Sequence, residues 1–304
     1  MLDWIVTFNG GVLCGIAAVA LIALAASHRK DFGATTSYRA SVRARLPFGS
    51  DAMALSIRRR TRMLLRANMW GLLATVVVAT AVFVSTPLSS SPQFLWLVTL
   101  SIFLVVLTAG SVAVGLRERL FDPAPTAMRV ARARALGVAD YVGRARRLAP
   151  LLLLTAAAGS CVALAVSDAM RPVGFVPLAL TYAALAFAVV ATIGARYAER
   201  LVLAQPQPAS DTLELAWDDL FRADTLSVLR MGAATAAWLP LGLALTLIGD
   251  AWLLHGPTDF AALFPWWGIP ALQVLYSLGQ GRLPDPLYPD FLRPTAQVAE
   301  EQPA

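Results

Sequence analysis

Long apolar stretches alternate with short turns and basic segments along this chain, and the apolar stretches have the length of membrane spans. A helix needs about 20 apolar residues to cross a hydrocarbon core ~30 Å thick. Seven stretches meet or approach that length: Trp4–Ala26, Met69–Val84, Phe94–Leu116, Leu148–Val166, Val173–Ile193, Ala233–Leu254 and Phe260–Tyr276. The second and seventh are short, but Asn68 and Ser85 extend one, and Thr258 and Ser277 the other. The pattern predicts an all-α membrane protein of seven transmembrane helices, with its N-terminus outside and its C-terminus in the cytoplasm. One lone helix precedes three hairpins, closed by short outer turns at 85–93, 167–172 and 255–259. Residues 1–279 form this single domain, and 280–304 a Pro-rich cytoplasmic tail. The run Asp285-Pro286-Leu287-Tyr288-Pro289-Asp290 in that tail predicts no helix and a course along the surface or none at all.

Orientation follows from the basic residues. Of the 25 Lys and Arg residues, all but Arg171 fall in the segments 27–67, 117–147 and 194–232 and in the tail. These segments alternate with the short turns, as a seven-span weave with positive loops inside requires. The first stretch is preceded by Asp3 and followed by Arg29 and Lys30, the reverse of a signal peptide, so it reads as an uncleaved anchor. Cys14 and Cys161 lie inside apolar runs and read as small core residues rather than as disulfide, lipid or metal sites.

Each hairpin is preceded by a partly amphipathic segment: Leu55–Arg66, Met128–Arg147 and Leu213–Arg230. Arg62, Arg147 and Arg230 stand at nearly equal intervals, which fits a repeated unit of an in-plane amphipathic helix followed by a hairpin. In the third segment Leu213, Trp217, Leu220 and Phe221 share one helical stripe. Its acids, Glu214, Asp218, Asp219 and Asp224, are placed to pair with the Arg-rich loops and lock the cytoplasmic face together.

Composition agrees with a membrane class. The chain is 58% hydrophobic and 14% charged, with mean hydropathy +0.64, against about 45–50% and roughly 25% in soluble domains. The net charge of +6 belongs to the inner loops, so nucleic acid is not an expected partner. Arg-rich, Ala-rich usage fits a GC-rich genome, and the expected location is a plasma membrane, bacterial in origin.

Candidate chemistry is sparse. No ionisable residue lies near the midpoint of a predicted span. Asp250 comes nearest, about 7 Å below His255 at ~1.5 Å per residue. It reads as an outward-facing carboxylate grouped with Asp3, Asp168 and Asp259, or as an Asp hydrated at the membrane rim. In the seventh stretch, Pro265 and Pro270 bracket Trp266, Trp267 and Gly268. Pro270 lacks an N–H and frees a carbonyl one turn back; with Gln273 and Tyr276 it forms either a break that lines a substrate cavity or a packing kink beside an aromatic belt. The basic candidates are Arg58, Arg59, Arg60, Arg62, Arg144, Arg146 and Arg147. At the inner surface each cation gains roughly 1 kcal/mol from anionic headgroups, or docks a membrane or cytoplasmic protein partner. His28 and His255 are predicted on opposite faces, which precludes a metal site or a His-based triad built from them, and no P-loop or zinc-protease motif is present. The expectation is a non-enzymatic scaffold or accessory subunit of a membrane assembly, without cofactor or metal. The alternatives are a permease for a small neutral or apolar solute using Asp250, Pro270, Gln273 and Tyr276, and an enzyme acting on a lipid with an Asp base.

Overall fold

The computed structural model describes residues 2–28, 32–85, 99–117, 136–172, 175–207, 209–252, 268, 271–278 and 280–292. Among them the structure is helical almost throughout, and there is no strand. The helices are α1 (Leu2–Ala26), α2 (Phe32–Ala44), α3 (Asp51–Ser85), α4 (Leu100–Arg117), α5 (Val138–Tyr141), α6 (Arg144–Met170), α7 (Phe175–Ala204) and α8 (Thr212–Trp252). A ninth, α9, covers residues 271–277. Among the described residues four helices, α3, α6, α7 and α8, are long and apolar enough to cross a membrane. Shorter apolar stretches, Gly10–Ala26 and Val105–Arg117, lie in α1 and α4.

The amphipathic segments are not separate in-plane helices. Leu55–Arg66 is the first part of α3, and Leu213–Arg230 is the first half of α8. Neither junction, Arg66-Ala67-Asn68-Met69 nor Arg230-Met231-Gly232-Ala233, contains proline. A lone helical glycine costs only about 1 kcal/mol relative to alanine. Gly232 has its own reason, because a Cβ there would collide with the Thr108 side chain where α4 crosses. Similarly, α7 runs beyond Ile193 to Ala204 and stops only before Gln205-Pro206, since a residue ahead of proline is pushed out of the helical region. Of Met128–Arg147, residues up to 135 lie outside the described ones; the remainder forms α5, a turn and the start of α6.

Helix α2 has no sequence signature of large apolar residues. Its buried face is made of Ser37 and Ala44, which leaves its hydropathic pattern weak. It ends where Arg45 adopts φ 54° and the chain enters Leu46-Pro47.

The bundle is organised around α8, against which α4, α6 and α7 pack, while α4 also packs on α3 and α3 on α1 and α2. In the most apolar stretch of α8 72% of residues are buried, against 17–28% in the other three long apolar helices. Helix α8 is therefore the central pillar and the others form its wall. The outward faces of α6 and α7 carry Leu152, Val162, Val166, Val190 and Ile193; a continuous apolar exterior of this kind is compatible with lipid contact. At about 1.5 Å per residue, the 41 residues of α8 span ~60 Å, twice a hydrocarbon core.

The largest hydrophobic core surrounds the charged half of α8. Leu46, Met53, Ile57, Tyr141, Val202, Leu213, Trp217, Leu220 and Leu226 meet there. The tail joins them: residues 285–287 and 290–292 form 3-10 turns, and Leu287 and Tyr288 are buried. A tail predicted to lie on the surface is thus part of the core, with Leu283, Leu287 and Tyr288 buried in it. Residues 293–304 lie outside the described ones. The apolar half of α8 packs through small residues, among them Ala234, Ala237 and Ala244, which let helices approach closely.

Trp217 is the anchor of the larger core: it is fully buried, stacks on Phe48 at 5.8 Å and donates Nε1–H to the Pro47 carbonyl at 3.0 Å. Trp217→Ala is expected to cost about 3–5 kcal/mol, read by thermal or chemical unfolding of the detergent-purified protein. A loss below about 1 kcal/mol would show that this core does not hold the basic end together.

Candidate functional site

The first half of α8 collects polar groups inside the fold. Its start is set by Asp211, whose carboxylate accepts from Glu214 N–H at 2.6 Å, while the Glu214 carboxylate accepts from Ser210 N–H at 2.6 Å. Asp211 thus caps the first turn, and Glu214 ties back to the residue before the cap. One turn on, Asp218 pairs with Arg222 at 2.8 Å. Asp219, fully buried, accepts from the Tyr141 hydroxyl at 2.8 Å and from Gln207 Nε2 at 2.7 Å. Asp224 accepts from the Gly281 N–H at 2.9 Å and so holds the tail. Among the described residues the acids lock this end together through a phenol, an amide, a backbone N–H and an arginine of their own helix.

Two arginines of α8 turn inward. Arg222 donates to the carbonyls of Val202, Gln205 and Pro206 at 3.3, 2.9 and 3.1 Å. These lie in the last turn of α7 and just beyond it, where carbonyls have no helical partner and the helix dipole is negative. Arg230 and Glu199 form an ion pair with both side chains 3% exposed, and Arg230 also donates to the Arg147 carbonyl at 2.9 Å. Gln205 closes the end of α4 by donating to the Leu116 carbonyl at 2.9 Å, and the Tyr288 hydroxyl closes α2 through Ala44 at 2.7 Å. At the opposite end of the bundle, Arg171 donates to the Ala251 carbonyl at 2.7 Å and lies over the Trp252 ring.

Pro150 lies inside α6 and cannot donate to the Arg146 carbonyl four residues back. The Tyr276 hydroxyl donates to that carbonyl at 2.8 Å. Tyr276 is fully buried, whereas Gln273 on the same helix is exposed, so the two do not share a face. Pro270 and the side chain of Asp250 lie outside the described residues. Gly268 is described, and a Cβ there would overlap the Trp238 indole, so that point of the predicted break is filled by a ring.

The basic candidates divide by helical angle. Arg60 is 5% exposed and lies over the Phe221 ring at 4.7 Å. At 100° per residue, Arg58, Arg59, Arg62 and Arg66 point away from it. With Leu55 and Met63 they line a groove of about 520 Å³. The Nε groups of Arg58 and Arg62 are buried and meet no hydrogen-bond acceptor among the described residues. Arg66 reaches Ser27 Oγ and His28 Nδ1, each at 3.4 Å. On α6, Arg144 is exposed, while Arg146 turns toward Ser227 Oγ at 3.5 Å and Arg147 is half-buried. Sequence reasoning grouped these arginines by position; the 3.6-residue period was the available signal that separates Arg60 from its neighbours. The capping roles of Arg222 and Gln205 had none, since they depend on tertiary approach. Among the described residues no group of three or more His, Cys, Asp or Glu side chains is placed to hold a metal.

Burial, reinforced by the Asp219 carboxylate, pushes the Tyr141 phenol far above its ordinary pKa of 10, so it remains a donor. The folded state then holds this proton more tightly than the unfolded chain. Its contribution to stability is complete below pH ~10 and declines as the pH rises above it. Tyr141→Phe is expected to cost about 1.5–3 kcal/mol at neutral pH, because Asp219 loses a donor. It should also make the alkaline decline in unfolding temperature shallower; an unchanged slope from about pH 8 to 11 would contradict the assignment.

Comparison of the chain with protein-family models, with curated proteins and with solved structures found no match.

Proposed function

We propose that this chain is a multi-pass plasma-membrane protein, crossing seven times with its basic end in the cytoplasm, and that it serves as a non-enzymatic scaffold or accessory subunit of a membrane assembly. The observation that carries this reading is how the polar groups are divided. Those along α8, the most buried of the long helices, are closed on the chain itself. Arg222 and Arg230 cap or pair with α7 and α6. The Thr225, Thr235 and Thr246 hydroxyls donate to carbonyls four residues back at 2.8, 3.0 and 2.8 Å, a bond that satisfies a hydroxyl in an apolar helix. A route for solute needs polar groups facing a passage. Here Gln273 is on the outside, and Trp238 fills the space beside Gly268, so no observation favours a permease over a scaffold. The exterior charge instead stands at the basic end, where Arg59 and Arg144 are exposed on α3 and α6.

Extraction from native membranes in a mild detergent, followed by native electrophoresis and mass spectrometry, tests this. The chain should migrate with a second polypeptide at fixed stoichiometry. Arg59→Glu combined with Arg144→Glu should reduce that partner on the order of tenfold while the chain itself still inserts, since reversing rim charges opposes a complementary surface. A chain that runs alone, with or without those changes, would rule the scaffold reading out.

A further inference from the structure

We infer that the groove along the start of α3 is a binding site for the phosphate headgroup of an anionic phospholipid from the cytoplasmic leaflet. The inference deepens the membrane reading above and rests on it. Four guanidinium groups, those of Arg58, Arg59, Arg62 and Arg66, line the groove together with Leu55 and Met63. Among the described residues no carboxylate lines it with them. Across the helix, the comparable cation Arg60 is settled on the Phe221 ring. The Nε donors of Arg58 and Arg62, like that of Arg60, are buried and meet no acceptor among the described residues, and of these three only Arg58 and Arg62 line the groove. Buried donors in folded proteins are almost always satisfied, and a charged one left open points to a missing oxygen ligand. The planar fork of arginine matches phosphate oxygens two at a time.

Position selects the source of the phosphate. The arginines end at Arg66, and the apolar span of α3 continues directly from Met69 within the same unbroken helix. At ~1.5 Å per residue Arg66, Arg62 and Arg58 stand ~5, ~10 and ~17 Å before Met69, so the groove begins at headgroup depth, where basic pockets meet inner-leaflet phosphates. The apolar members of the groove agree, since Leu55 is 63% and Met63 37% exposed. A free phosphate has no use for such a wall, whereas the glycerol and first acyl carbons of a lipid do. The volume of about 520 Å³ is that of a ligand-sized cleft and exceeds what one inorganic phosphate fills.

The test uses the full chain in nanodiscs of phosphatidylcholine containing a minor fraction of phosphatidylglycerol, with retained lipid counted by native mass spectrometry. The wild-type chain should retain phosphatidylglycerol selectively. Arg58→Gln with Arg62→Gln should lower its retention on the order of tenfold. The exposed pair Arg39→Gln with Arg200→Gln, which removes the same charge elsewhere, should change it little. Met63→Glu, at an exposed position that leaves the arginines intact, should lower retention as the first pair does, and covers the case in which that pair fails to fold. Equal losses from both arginine pairs would overturn the inference in favour of diffuse surface charge. Displacement of the lipid by millimolar inorganic phosphate would overturn the lipid assignment. A chain that fails to enter the nanodisc would overturn the membrane reading itself, whereas insertion without lipid selectivity would overturn only this inference.

Discussion

The charged half of α8 is enclosed on nearly every side, and that enclosure constrains the rest of the fold. A buried charge is tolerated only when paired and hydrogen-bonded, and breaking such a pair costs far more than the pair itself contributes. Arg230 and Glu199, each 3% exposed, therefore fix the spacing between α8 and α7. The second bond of Arg230, to the Arg147 carbonyl, fixes α6 against both. Arg222, Asp219 and Asp224 extend the same constraint to the end of α7, to α5 and to the tail.

A common physical theme underlies these contacts. Helices that end inside a protein leave carbonyls without partners, and this bundle has several such ends meeting around one pillar. Arginine, glutamine and tyrosine side chains supply the missing donors, so the same residues that neutralise charge also terminate helices. Pro150 adds one more orphan carbonyl in mid-helix, and the Tyr276 hydroxyl answers it. The apolar half of α8 needs no such network. There, alanines and Gly232 permit close helix approach, and the threonines bond to their own helix. On the proposed orientation, the specific interactions concentrate at the cytoplasmic end, and the span is held by simpler packing.

The apolar stretches were legible in the sequence because hydropathy is a sum over some 20 residues and survives local detail. The limits of the helices were not, because whether Leu213–Arg230 lies apart from the span or continues into it is decided by what surrounds Met231 and Gly232. The buried face of α2 is built of Ser37 and Ala44 and so carries too little apolar bulk to mark a helix, and the tail was disguised by its prolines although Leu287 and Tyr288 are core residues. Among the site candidates, Arg60 could be separated from Arg58 and Arg62 by helical angle alone. The partner of Tyr276 could not be found that way, since Pro150 lies 126 positions earlier and only the fold brings them together. Asp250 and Pro270, chosen for their chemistry, fall where no side chain is described.

The central claim is that a closed polar network on α8, rather than a solute path, is what the buried charges serve. A double-mutant cycle on Glu199 and Arg230 tests it most directly, with unfolding free energy in detergent as the readout. Glu199→Ala or Glu199→Leu alone should cost about 3–5 kcal/mol by stranding a buried guanidinium, and Glu199→Leu with Arg230→Met should recover most of that loss relative to the sum of its two single changes. If Glu199→Ala were as harmless as Arg144→Ala on the exterior, or if the two sites behaved additively, the account would be contradicted.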